Sequence, residues 1–162
     1  MNNYTFKDFL PLIIIFSVVI ALTIIAQSWR GDFSWMSTMN DFMGFFFIVF
    51  GSFKVINLPG FVEAYQTYDI VAKQSILYAY LYPFIELGLG LAYLYRLYPI
   101  ATNVITLIVM LVSSIGVFQK LLEREQIVCA CLGAVFKIPM TWVTLTEDLL
   151  MAGMAFAMLL MR

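Results

Sequence analysis

The sequence predicts an all-α, polytopic membrane protein with five spans, and three observations predict it. Of the 162 residues, 63% are hydrophobic and only 12% charged, against roughly 45–50% and 25% in a typical soluble chain. The mean hydropathy is +0.94. Apolar residues run unbroken over stretches close to the ~20 residues a spanning helix needs, and they do not alternate as the strands of a membrane barrel do. A helix satisfies its own backbone polar groups in lipid, so such runs are helical. The composition also excludes functions. With 15 Phe, 9 Tyr and 3 Trp the chain is not a disordered tail, and a net charge of −1 offers no footprint for nucleic acid. The absence of His removes His-based zinc and iron sites, haem attachment and any His general base, and with it a soluble triad enzyme.

The first span is expected over Leu10 to Gln27 (LPLIIIFSVVIALTIIAQ). It has no small-x-small cleavage site before Ser28, so it reads as an uncleaved anchor. A polar stretch, Ser28 to Asp41, follows. Phe42 to Leu58 is the second span, interrupted by Lys54 and ended by Pro59-Gly60, because Pro cannot continue the hydrogen-bond ladder and Gly tolerates a sharp turn. Apolar and polar residues mix at helical spacing from Phe61 to Gln74, which predicts a short amphipathic helix at the membrane surface. Ser75 to Tyr95 is the third span, with Pro83, Glu86, Gly88 and Gly90 inside it. Arg96, Tyr98 and Pro99 predict a tight interfacial turn. Ile100 to Gln119 is the fourth span and Thr144 to Arg162 a short fifth. Between them, Lys120 to Val143 carries both cysteines. There is no internal repeat and no linker, so the spans form one bundle.

Lys54 and Glu86 are the ionisable residues placed well inside apolar stretches, where either alone costs about 2.5–3.5 kcal/mol or more. Their opposite signs predict an intramembrane ion pair, with Lys54 snorkelling to the interface as the alternative. Pro83 frees the carbonyl of Ala79 and predicts a kink or a polar pocket beside Glu86. Gly88 and Gly90 read as packing positions. Met151, Met154, Met158 and Met161 share one face of the last span, a soft ligand set for Cu(I) or, more simply, core filler. Thr144-x-x-Glu147 matches a capping box, with Glu147 and Asp148 in the first turn of the helix.

Cys129-Ala130-Cys131-Leu132-Gly133 is the one constellation with evident thiol chemistry. Two thiols one residue apart can close a short disulfide or chelate one soft metal ion, and a strained disulfide is of the labile, exchanging kind. The plain alternative is a pair of small buried residues. Two Cys are too few for a Cys₄ zinc site, and no resident metal or cofactor is expected.

With these residues in place, the chain resembles the MauE/DoxX family of redox-associated membrane proteins, four-helix bundles that sometimes carry an extra N-terminal span. The resemblance rests on GSFKVINLPGF at Gly51 to Phe61, YPFIELGLGLAYL at Tyr82 to Leu94, CACLG at Cys129 to Gly133 and the following KIPMTWVTLTEDLLM. Methylamine-utilisation relatives have Cys-x-Cys-Phe-Gly at the third of these, where this chain has Leu132. The resemblance implies two regions, residues 1–41 as a transmembrane anchor with its polar connection and residues 42–162 as the four-helix bundle. It further implies a multi-pass protein of the cell (inner or plasma) membrane that handles disulfides in the envelope with a thioredoxin-like partner. The chain is also similar to vitamin K epoxide reductase in being a helical scaffold for disulfide exchange. It lacks that enzyme's CxxC and second cysteine pair, so quinone coupling does not carry over.

The expected function is therefore exchange of disulfide equivalents through Cys129 and Cys131, with the lipid bilayer as environment and a thioredoxin-like protein as partner. Lys120, Arg124 and Lys137 are candidate cations for stabilising a thiolate. Competing readings are heavy-metal handling by the thiols and Met side chains, and an assembly subunit without chemistry. A cytoplasmic N-terminus collects five basic residues (Lys7, Lys73, Lys120, Arg124, Lys137) on the inside against three (Arg30, Arg96, Arg162), which places the cysteines in the cytoplasm by the positive-inside rule. A persistent disulfide prefers the other side, and the resemblance implies that extracytoplasmic side.

Overall fold

The computed structural model describes residues 6–123 and 142–161. Its elements are α1 (Phe6–Arg30), α2 (Trp35–Ile56), α3 (Leu58–Tyr65), α4 (Ile76–Leu94), α5 (Pro99–Leu122) and α6 (Trp142–Leu160). The described residues contain no strand. The helices α1, α2, α4 and α5 are each long and apolar enough to cross a membrane, and α6 occupies the fifth expected span. The chain is thus an all-α, multi-pass integral membrane protein.

Short connections dictate the arrangement. Gly31 closes α1 in the left-handed region at φ +66, where a residue with a Cβ is strained, and its N–H returns to the Gln27 carbonyl at 2.8 Å. Ser34 then caps α2 by accepting from the Ser37 N–H. The expected polar stretch Ser28 to Asp41 is therefore too long: α2 begins at Trp35, and its first two turns bury Ser37, Asn40 and Asp41. These polar groups find partners inside the fold. The Arg30 guanidinium lies 2.5 Å from Asp41 Oδ2, an ionic contact whose angles fall short of a hydrogen bond. Arg96, from the α4–α5 turn, donates to Ser37 Oγ at 2.5 Å and faces Asp32 at 3.7 Å. Hydrogen bonds from the Ser34 backbone N–H and the Ser34 and Ser37 side chains, aided by the Arg96 charge, hold the exposed Asp32 carboxyl below the usual range.

The predicted interfacial turn is present. Arg96 and Tyr98 both take positive φ, 54 and 41, and Pro99 opens α5, where its missing N–H has no partner to lose. At the other end, α2 stops at Ile56, and the Asn57 side chain accepts from the Gly60 N–H while Pro59 lies in the first turn of α3. Pro59-Gly60 thus begins a new helix as well as ending the old one.

The helix expected within Phe61 to Gln74 is α3, which begins earlier and ends at Tyr65. Its apolar face and the turns after it pack on the bundle, burying Phe61, Val62, Tyr65, Tyr68 and Ala72. After α3 the chain makes a series of turns to Ser75, held by Asp69 Oδ1, which accepts from the N–H groups of Val71 at 3.0 Å and Ala72 at 2.7 Å. Apolar spacing alone does not distinguish lipid from protein as the receiving surface. The covering protein is partly α5, whose Gly116 would bring a Cβ to 2.6 Å from the Tyr68 carbonyl oxygen.

The packing of α2 on α4 is antiparallel, since Gly44 meets Leu94 and Gly90 while Gly51 meets Leu87 and Pro83. The packing of α5 on α6 is also antiparallel, with Phe118 beside Trp142 and Ser113 beside Asp148. The Arg30, Asp41 and Arg96 network marks one end of the bundle. At the other end α3 lies, α5 stops and α6 starts. The main core joins α1, α2, α4, α5 and α6 through Val19, Met43, Phe47, Tyr93, Met110 and Met151. The methionine face belongs to it, as Met151 and Met158 are buried and Met154 packs alongside, while Met161 is exposed.

The two glycines of α4 differ. A Cβ on Gly90 would meet the Gly44 carbonyl oxygen and the Ile48 backbone nitrogen, each at 3.0 Å, whereas Gly88 faces open space. Gly90→Ala is expected to lower stability by about 1–3 kcal/mol through overpacking, and Gly88→Ala to leave it level or raise it by about 0.5–1 kcal/mol. Unfolding in one detergent measures both; equal effects would disprove the close α2–α4 approach.

Candidate functional site

The structure brings Lys54 and Glu86 together. Lys54 lies in the last turn of α2, two residues before that helix ends, and Glu86 lies near the middle of α4. Antiparallel packing sets them side by side. The Lys54 ammonium donates to both carboxylate oxygens, at 2.5 Å to Oε1 and 2.6 Å to Oε2, and the residues are only 6% and 3% exposed. Snorkelling is precluded by the covering segment. With α3 folded over the end of α2, the outward path of Lys54 is closed by the Phe61 ring, whose centroid is 5.6 Å from Nζ, and the Tyr82 ring lies at 5.0 Å. Cation–π attraction adds to the ion pair where water is excluded.

These rings belong to a continuous aromatic cover. Tyr65 packs on Phe61 at 5.0 Å and on Tyr82 at 4.6 Å, while Tyr68 meets Tyr65 edge-on at 5.5 Å. Helical spacing accounts for much of it, since positions three or four apart share a face: Phe61, Tyr65 and Tyr68 on one side, Tyr78 and Tyr82 on the other. Pro83 sits inside α4 without ending it, and its carbonyl turns toward Gly51 of α2.

The last helix contributes residues whose role the sequence disguised. Because α6 is already helical from Trp142, Thr144 lies within it and not at its cap, and Glu147 and Asp148 fall beyond the first turn. The capping-box expectation is corrected accordingly. Asp148 Oδ2 accepts from Ser113 Oγ of α5 at 3.0 Å. Glu147 is 7% exposed, and its Oε1 has no hydrogen-bond partner among the described residues. The legible signal was two acids in a helix otherwise nearly free of charge, which in a membrane segment marks function by default.

Cys129 and Cys131 lie outside the described residues, as do Arg124 and Lys137. The connection that carries the cysteines leaves from the end of α5 and returns at the start of α6, the end of the bundle where α3 covers the ion pair. Lys120, the remaining candidate cation, donates to Glu123 Oε2 at 2.6 Å, a contact that holds the Glu123 carboxyl below its ordinary range. Among the described residues no group of three or more Cys, Asp or Glu is arranged to hold a metal ion.

The family profile described as "Methylamine utilisation protein MauE" matches residues 32–161. The chain belongs to the MauE family. The match takes in α2 to α6 and both cysteines, and starts just after α1. No curated protein and no solved structure matched the chain.

The ion pair yields a test that needs no substrate. Lys54→Met and Glu86→Gln each strand a buried charge or its partner and are expected to cost about 3–5 kcal/mol. The double variant should lose less than the sum, because neither charge remains. Melting or detergent-resistant folded yield of the three variants measures the coupling, and additive losses would show that the two residues are energetically independent.

Proposed function

We propose that this MauE-family protein exchanges disulfide equivalents with a thioredoxin-like partner through Cys129 and Cys131, on the extracytoplasmic side of the cell membrane. The observation that carries the reading is family membership over a range that includes the cysteine pair. In this exchange the thiolate of one cysteine attacks a partner disulfide, forming a mixed disulfide and releasing a partner thiolate. The neighbouring thiolate then attacks the mixed disulfide, closing Cys129 to Cys131 and releasing the second partner thiolate; the reverse sequence delivers a disulfide.

The fold supports this division of labour. The rigid part, tied by Lys54, Glu86 and the aromatic cover, stands at the end of the bundle from which the cysteine connection emerges. On this reading the bundle is an anchor that presents a thiol pair at the membrane face. Nothing favours the soft-metal alternative in the same way, since Met151 and Met158 are consumed by the core.

Two measurements test the proposal. Alkylation at controlled redox poise, read by mass spectrometry, is expected to find Cys129 and Cys131 alkylated under reducing conditions and linked to each other under oxidising ones. Cys131→Ser is expected to trap a mixed disulfide on Cys129. Thiols that stay reduced and inaccessible at every poise would overturn the exchange reading. A membrane-impermeant thiol reagent should label the reduced pair in intact cells, and labelling only after lysis would place it on the cytoplasmic side.

A further inference from the structure

The polar interior around Lys54 holds more acid than base. Lys54 is the one lysine or arginine buried among the described residues, and Glu86, Asp69 and Glu147 are buried with it. Asp148 is partly buried beside them. Lys54 is engaged by both oxygens of Glu86, and the Val71 and Ala72 N–H groups bind Asp69. Among the described residues Glu147 and Asp148 have no such compensation: one has a buried oxygen without a partner, the other a serine hydroxyl. A carboxylate so placed in a membrane interior is neutralised by taking up a positive charge.

The geometry shows which positive charge fits. The carboxyls are spread out, and no three of them are arranged to hold a metal ion among the described residues. Protons need only one carboxyl each. Successive residues on a helix point about 100° apart, and these two use that divergence. Glu147 lines a groove of about 550 Å³ between α1 and α6, with Leu12, Phe16 and Ile20 on the α1 wall and Trp142 at the start of α6. Asp148 faces α5 instead, through Ser113. Glu147 lies five residues into α6 from the exposed Trp142, a rise of about 7.5 Å, within reach of water at the headgroups.

We infer that Glu147 and Asp148 are two proton-binding sites, each a neutral carboxylic acid at neutral pH, Glu147 exchanging its proton at the α1–α6 groove and Asp148 held apart from that groove by Ser113 of α5. Hydronium at the groove converts the Glu147 carboxylate to the acid and leaves water. Among the described residues Ser113 of α5 meets Asp148, and the charged and titratable groups set around the two acids are Lys54 of α2, Asp69 after α3, and Tyr82 and Glu86 of α4. The groove wall from α1 contributes no titratable side chain. This site does not depend on the thiol reading, and it stands if the cysteines prove inert.

Infrared difference spectroscopy of the full chain in lipid vesicles tests it. At neutral pH the protein is expected to show carbonyl bands of protonated carboxylic acids, one lost in Glu147→Gln and another in Asp148→Asn, while Ser113→Ala moves the Asp148 band without removing it. On transfer to D₂O the Glu147 band, at the groove, should shift before the Asp148 band. Absence of such bands, or their survival in both variants, would overturn proton binding, and a Glu147 band that shifts no earlier than that of Asp148 would overturn exchange through the groove. The amides are isosteric with neutral acids, so a variant that failed to fold would also count against the proposal.

Discussion

A lysine ammonium in the interior of a membrane bundle must be paired, and the pairing of Lys54 with Glu86 constrains much of what surrounds it. The two residues lie on α2 and α4, so the bond sets the register of the antiparallel pair that forms the centre of the bundle. Its short bidentate geometry requires the helix backbones to come close, and the small residues Gly44, Gly51 and Gly90 at the α2–α4 seam permit that approach. In lipid the apolar surfaces of helices gain little from meeting each other. Close backbone packing and a desolvated ion pair supply the specificity that hydrophobic burial supplies in water.

The pair also explains why the chain folds back between α2 and α4. A lysine two residues from a helix end would ordinarily extend its ammonium to water. Here α3 and the turns after it fill that space with Phe61, Tyr65 and Tyr68, and Tyr82 of α4 completes the enclosure. Rings that give their faces to a cation serve as both cover and counter-charge. The opposite end is held differently, by Arg30 with Asp41 and by Arg96 with Ser37 and Asp32, in contacts whose arginines are open to solvent. Among the described residues, rings enclose the ion pair toward one end of the bundle, and exposed guanidinium groups tie the other.

Membership of the MauE family sets a redox-associated membrane role beside this architecture. The end of α5 and the start of α6, which flank the cysteine-bearing segment in sequence, lie at the end of the bundle where α3 covers the ion pair, and the acids of α6 lie toward that end as well.

The helical class, the positions of the four long apolar spans, the turn at Arg96 to Pro99 and the opposed charges of Lys54 and Glu86 were all legible in the sequence. Each follows from a local property: continuous apolarity over a bilayer's thickness, a proline at a helix start, an ionisable group where water is absent. The family was legible too, since its motifs are short runs of consecutive residues. What lay beyond the sequence depends on which surface a residue meets. The segment Phe61 to Gln74 has an apolar face that fits a lipid surface and a protein surface equally, and only the closure of α3 over Lys54 directs it inward. Thr144, Glu147 and Asp148 spell a helix cap when read along the chain. The helical course of α6 from Trp142 onward, and Ser113 facing it from a helix 35 residues earlier, turn the same letters into a buried and a half-buried acid, because burial and pairing are properties of neighbours in space and not of neighbours in sequence.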